Sequence, residues 1–272
     1  MRQKVIVVTG ASSGIGLATA AYLANKGHIV YGLARSKTVQ KGVAAIQANV
    51  TDYEQLKLAY KDIYDVEGRI DVLINNAGMG IAGSVEETVL EDAEYLYKVN
   101  VMGVFYSVKA ALPYMHVAKR PKIINLGSVA GRFSIPFQAF YSSSKAAVEA
   151  LSDALDIELR PYGFQVCTVL PGDIRTSFTQ NRRKNQDESS RYKKRVIKSI
   201  KVMEKDEQNG IDAEFAGKVV GRLALSRRMP LHKIIGFKYK VFLILKRLLP
   251  TRFVHWLIGG IYGFTHIKSS DE

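Results

Sequence analysis

Short runs of Val, Ile and Leu alternate with amphipathic stretches along most of the chain, and that alternation admits few folds. The runs are "KVIVVT" (4–9), "HIVYGL" (28–33), "IDVLIN" (70–75), "KIINLG" (122–127) and "FQVCTVL" (164–170). They are apolar at successive positions, so both faces of each strand must be covered, as in a parallel sheet buried under helices. Helix-like segments at 14–26, 52–66, 87–116 and 139–160 separate them. This order predicts an α/β fold: a doubly wound parallel sheet with right-handed crossovers. With 272 residues, 47% of them apolar, the chain has core enough for one such domain. The expected division is a main domain over 1–230 and a C-terminal extension over 231–272, in which "HKIIGF" offers a last strand.

Charge and cysteine narrow the function classes. The net charge of +14 is confined to two windows, 182–201 and 227–272, each with nine Lys/Arg against two acids. The remaining body is neutral, so an anionic partner would meet the two basic segments. No recognition motif accompanies them, which argues against nucleic acid. The single cysteine, Cys167, excludes an intrachain disulfide and lies in an apolar run, as a buried structural thiol does. "KVIVVTG" begins a strand at Lys4 rather than a leader, and no stretch of 18 uncharged apolar residues occurs. A cytoplasmic protein is expected.

"VVTGASSGIGLA" follows the first strand and opens a helix. Gly10, Gly14 and Gly16 allow a tight turn and let backbone N–H groups approach a pyrophosphate at the helix N-terminus. Ser12 and Ser13 add hydroxyl donors. The position directly after the first strand is the one a Rossmann-type dinucleotide site requires. An NAD site usually places an acid at the end of the second strand. Here "LARS" puts Ala34 and then Arg35. A guanidinium pairs with a 2′-phosphate that an acid would repel, which favours NADP(H).

"YSSSK" raises the question of chemistry. Tyr141 and Lys145 stand four apart on a predicted helix and share a face. A free phenol titrates near ~10, too high for acid/base work near neutrality. A neighbouring ammonium favours the phenolate, so Lys145 is expected to lower the Tyr141 pKa.

Read together, these motifs resemble the short-chain dehydrogenase/reductase family, and its hydroxysteroid and retinol dehydrogenase-like branch. T-G-x3-G-x-G is matched by Thr9, Gly10, Gly14 and Gly16, and N-N-A-G by Asn75, Asn76, Ala77 and Gly78. A helical asparagine follows at Asn100, and Ser128 stands 13 residues before Tyr141. The P-G-x-x-x-T turn is Pro171, Gly172 and Thr176. The family's D-V-T-D is here "NVTD", so Asn49, followed by Val50, would hold the adenine amino group through its amide oxygen. The resemblance implies Ser128, Tyr141, Lys145 and Asn100 as the catalytic set. Ser128 and Tyr141 would touch substrate, Lys145 the nicotinamide ribose, and Asn100 a proton-relaying water. Ile15 and Ile174 would join the cofactor contacts.

The implied activity is NADP(H)-dependent interconversion of an alcohol and its ketone or aldehyde on an apolar steroid, retinoid or lipid-like substrate. The alternatives are 3-oxoacyl reduction and a non-catalytic cofactor-binding scaffold or sensor. No His, Cys or Asp cluster has metal-ligand spacing. Relatives imply a homodimer. Residues 177–209 occupy the place of a substrate lid, within which "RYKKRVIKSIKVMEK" can form a basic amphipathic helix. "KYKVFLILKRLLPTRFVHWLIGGIYGF" (238–264) mixes apolar and basic residues as an interfacial helix does, so peripheral membrane association is expected.

Overall fold

The computed structural model describes residues 3–36, 40–185 and 189–262. Seven parallel strands form the sheet: β1 (Val5–Thr9), β2 (Ile29–Ala34), β3 (Val43–Gln47), β4 (Val72–Asn75), β5 (Lys122–Leu126), β6 (Gln165–Pro171) and β7 (His232–Ile235). Their spatial order is β7-β6-β5-β4-β1-β2-β3. The chain therefore winds outward in both directions from β1, which pairs with β2 on one side and β4 on the other. Beyond the carboxyl ends of β1 and β4 lies the switch point, where such sheets leave a crevice.

Helices cover both faces, as the uninterrupted apolar runs require. Val5 and Val7 of β1 belong to one core layer, with Leu56, Tyr60, Val104 and Val148. Ile6 and Val8 belong to the other, with Ala20, Leu23, Val220 and Leu223. The first layer is covered by α2 (Tyr53–Glu67), α4 (Gly103–Met115) and α5 (Ala139–Leu159), the second by α1 (Gly14–Asn25) and α7 (Ala213–Leu225). Cys167 is free and fully buried, and burial pushes its thiol up to about 12, so it is an inert core group.

Three local features differ from the sequence reading or sharpen it. The edge strand β3, "VAAIQ", has no uninterrupted apolar run because Ala44, Ala45 and Gln47 are exposed. The single helix expected over 87–116 is instead α3 (Leu90–Tyr97), a π-helical turn over Lys98–Met102, and α4. The lid carries α6 (Ser190–Gln208), whose Val196, Ile200 and Met203 share one helical face and pack on Ala82. The extension forms α8 (Phe237–Leu248) and α9 (Thr251–Tyr262). Its last ten residues, 263–272, lie outside the described residues. No described helix is long and apolar enough to cross a membrane.

Candidate active site

The glycine turn is built against the end of β4. Thr9 Oγ1 accepts from the Asn76 and Ala77 N–H groups at 3.0 and 3.2 Å. Asn76 Nδ2 donates to the Thr9 and Gly10 carbonyls, both at 3.1 Å. Gly10 has φ +65°, and a Cβ there would meet the Ala77 Cα at 2.8 Å. A Cβ on Gly16 would lie 2.3 Å from both Asn76 Nδ2 and the Gly10 carbonyl. So β1, α1 and the N-N-A-G turn approach more closely than any side chain permits. The Ser13 side chain makes no cap bond to α1, and the first turn of that helix carries no acid. Its orphan N–H groups are thus suited to a pyrophosphate, and the residues present fit a dinucleotide.

One cavity of about 590 Å³ runs from this turn to the "YSSSK" helix. Of the site residues expected from sequence, all but Thr9, Gly16 and Asn100 line it. Those three act from behind the wall. Arg35 is exposed at the cavity edge, where a ribose phosphate would reach it. The Asn49 side-chain oxygen accepts from the Thr51 N–H at 3.1 Å, which bends the loop. Its second lone pair remains for an adenine amino group. Asp52 caps α2 by accepting from the Gln55 N–H at 3.1 Å.

At the other end stand Ser128, Tyr141 and Lys145. The Ser128 hydroxyl accepts from the Ala130 N–H at 3.1 Å and shares the cavity wall with Tyr141. Lys145 Nζ donates to the Leu126 carbonyl at 2.9 Å and lies 5.8 Å from the Tyr141 ring centroid. Burial draws the Lys145 ammonium down to about 8. The Tyr141 phenol is held above its ordinary value, first by burial. The Ser128 hydroxyl and the Arg182 guanidinium pull it down, and Glu207 pushes it up. The expectation that Lys145 lowers the phenol is therefore not what these side chains do. The ammonium is turned to a backbone carbonyl, and desolvation outweighs the charges.

Asn100 sits in the π-helical turn and is buried. Its Nδ2 donates to the Met79 carbonyl at 2.9 Å and to Ser144 Oγ at 3.0 Å. Below it runs a buried relay: Tyr60 to Ser107 at 2.6 Å, Ser107 to Asn75 at 2.5 Å, Asn75 to Asn125 at 2.8 Å and Asn125 to Ser152 at 2.8 Å. Fully satisfied networks of this kind rigidify a core.

Several site groups were invisible in the sequence. Phe178 packs 5.6 Å from the Tyr141 ring, and Arg182 stands 5.6 Å from the Phe178 ring. Arg182 pairs with Glu207, which also accepts from Thr179 at 2.6 Å. The Arg182 side chain is only 2% exposed, although it lies in a run that reads as solvated charge. Tyr239 of α8 lies on Gly172, where a Cβ would meet its ring at 1.8 Å, and its hydroxyl donates to Asp173. Tyr262, at the end of α9, also lines the cavity. Away from it, Glu149, Asp153 and His232 converge, but Glu149 is taken by Arg132 at 2.8 Å.

The comparisons agree with this geometry. The short chain dehydrogenase family profile matches residues 4–187. A 3-ketodihydrosphingosine reductase of Bacteroides thetaiotaomicron is 40% identical over 239 residues, 87% of this chain and 89% of that one. A 3-oxoacyl-(acyl-carrier-protein) reductase of Synechocystis sp. is 38% identical over 190 residues, 65% of this chain and 77% of that one. The crystal structure of a short-chain dehydrogenase from Streptomyces avermitilis superposes with TM-score 0.80 at 29% identity, covering 94% of this chain and 96% of that one.

Proposed function

Because the chain belongs to the short chain dehydrogenase family, we propose that it is an NADP(H)-dependent ketone reductase whose substrate carries a long apolar chain. The observation that carries the chemistry is that Ser128 and Tyr141 line the same cavity that also holds the glycine turn. A bound nicotinamide supplies the hydride. The chain's own residues do the rest. Ser128 and Tyr141 offer two O–H donors to one carbonyl oxygen, stabilising charge as it develops there. With its pKa raised, the Tyr141 phenol is protonated at neutral pH and has a proton to give to the nascent alkoxide. Lys145, fixed on the Leu126 carbonyl, keeps further N–H donors for the ribose, and Arg35 supports the phosphate of NADP(H).

The substrate reading rests on two supports. The relative from Bacteroides thetaiotaomicron is named for reduction of a keto lipid. The cavity wall near Tyr141 includes Ile135, Phe178, Met203 and Tyr262, which suit an alkyl chain better than a sugar. Steroid and retinoid ketones meet the same wall. A second reading, 3-oxoacyl reduction, is favoured by the Synechocystis relative. We also infer a homodimer, for which Met102, Phe105 and Ile157 provide exposed apolar residues, and action at the cytoplasmic surface of a membrane.

NADPH oxidation measured on a long-chain keto lipid, a 3-oxoacyl thioester, a steroid ketone and a small sugar, with NADH as control, tests this. The keto lipid with NADPH should turn over fastest. Turnover confined to the sugar would sink the substrate class, and a preference for NADH would sink the cofactor assignment.

A further inference from the structure

Helices α8 and α9 are built inside out. Between Phe237 and Tyr262 there are five Lys/Arg and no Asp or Glu. Only Leu243 of α8 and Val254 of α9 are buried. On α8, Phe237, Val241, Ile244, Leu245 and Leu248 recur at helical spacing and face solvent. On α9, Phe253, Trp256, Leu257 and Ile261 do the same. Leu248 is 76% exposed and Trp256 58%. An ordinary surface helix turns such a stripe toward the core, whereas here it runs outward over two successive helices.

Both ends of this unit reach the active site. Tyr239 rests on Gly172 and donates to Asp173, to which Lys238 also donates at 3.1 Å. Tyr262 packs with Val196, Ile200 and Met203 of the lid and lines the cavity.

We propose that the outward face of α8–α9 seats on an anionic lipid surface, and that a lipid ketone reaches Tyr141 from that surface past Tyr262. The second clause rests on the ketone-reductase reading; the first does not. Charge selects the occupant. A second copy offering the same face would oppose Lys240, Arg247 and Arg252 with the same three cations, since Lys238 is paired with Asp173 and Lys246 turns to the Arg132 carbonyl. Nucleic acid would leave the apolar stripe uncovered. An anionic bilayer takes both: apolar side chains enter the acyl boundary and Lys240, Arg247 and Arg252 meet head groups.

Trp256 is the only tryptophan in the chain, so its emission reports on this face alone. Full-length protein with NADPH is mixed with phosphatidylcholine vesicles, with and without phosphatidylglycerol, and followed by emission and co-sedimentation. The anionic vesicles should shift the emission to the blue and carry the protein down, with release near ~1 M salt, where screening is complete within ~3 Å. Arg247→Gln with Arg252→Gln should weaken binding about 30-fold, at about 1 kcal/mol per cation. Leu248→Glu should abolish the blue shift. Both variants should reduce a short soluble ketone at the wild-type rate, which shows they are folded. Unchanged Trp256 emission in a protein that still reduces the soluble ketone overturns the docking. So does an emission already blue without vesicles in a dimer that Leu248→Glu dissociates. Docking with no turnover on any ketone would instead leave the surface standing and overturn the reductase reading.

Discussion

Asn100 and Met79 are clasped by two hydrogen bonds: the Met79 N–H donates to Asn100 Oδ1 at 2.8 Å, and Asn100 Nδ2 donates to the Met79 carbonyl at 2.9 Å. The clasp holds the N-N-A-G turn onto the π-helical turn, and the third bond of Asn100, to Ser144, ties both to α5. Wide single turns of this sort recur at functional sites. Asn100→Ala should leave the Met79 backbone unpaired and cost about 1–3 kcal/mol of stability in urea unfolding. Misplacement of the turn should lower kcat roughly 10²-fold. A variant with wild-type kcat would show that the clasp has no part in positioning.

Tyr141→Phe keeps the ring contact with Phe178 and removes only the proton donor. Turnover should fall about 10²- to 10⁴-fold while NADPH binding, read by cofactor fluorescence, is retained. Full activity in this variant would exclude the phenol as the acid.

Arg35→Ala tests the cofactor. A charge-assisted bond to a 2′-phosphate contributes about 1.5–3 kcal/mol, so the KM for NADPH should rise by about 10- to 100-fold. The KM for NADH should barely move. Equal losses with both cofactors would mean that Arg35 meets no phosphate.

Lys145 gives the pH dependence. Its folded pKa, drawn to about 8 by burial, lies below the ordinary lysine value. The ammonium is present below about pH 8 and lost above it, so NADPH affinity should fall by about tenfold one unit beyond that pKa. Stability moves the other way. Between about 8 and ~10.4 the unfolded chain binds the extra proton, so this group makes the fold more stable as pH rises through that window. Urea unfolding of wild type and Lys145→Met at both ends of the window isolates the contribution. A difference that does not change with pH would refute the shift.

Arg182 and Glu207 form a nearly dry ion pair beside Tyr141. Removing one partner of such a pair leaves the other charge buried, at about 3–5 kcal/mol. Arg182→Met should therefore destabilise by that order, and Arg182→Met with Glu207→Leu should recover most of it. Equal destabilisation in the single and double variants would show that the pair is not coupled.

Much of the site was legible because its signals are short-range. Gly10, Gly14 and Gly16 mark a turn that only glycine can make, and Tyr141 and Lys145 share a face by helical period alone. β3 was missed because an edge strand is covered less fully and so needs no continuous apolar run. The break at Lys98–Met102 left no mark because each residue there is individually helix-compatible. The Tyr60–Ser107–Asn75–Asn125–Ser152 relay joins residues up to 92 positions apart, and nothing local identifies its members as partners.

The sequence by itself determined the strand–helix order, the glycine turn, the shared helical face of Tyr141 and Lys145 and the two basic segments, since periodicity, turn chemistry and composition are properties of neighbouring residues. Only the tertiary structure decided that Arg182 is buried against Glu207, that the Tyr141 phenol is raised rather than lowered, and that α8 and α9 turn their apolar stripes to the outside. Each of these depends on which surfaces lose water. Desolvation is set by what packs from distant parts of the chain, and a residue's sequence neighbours do not report it.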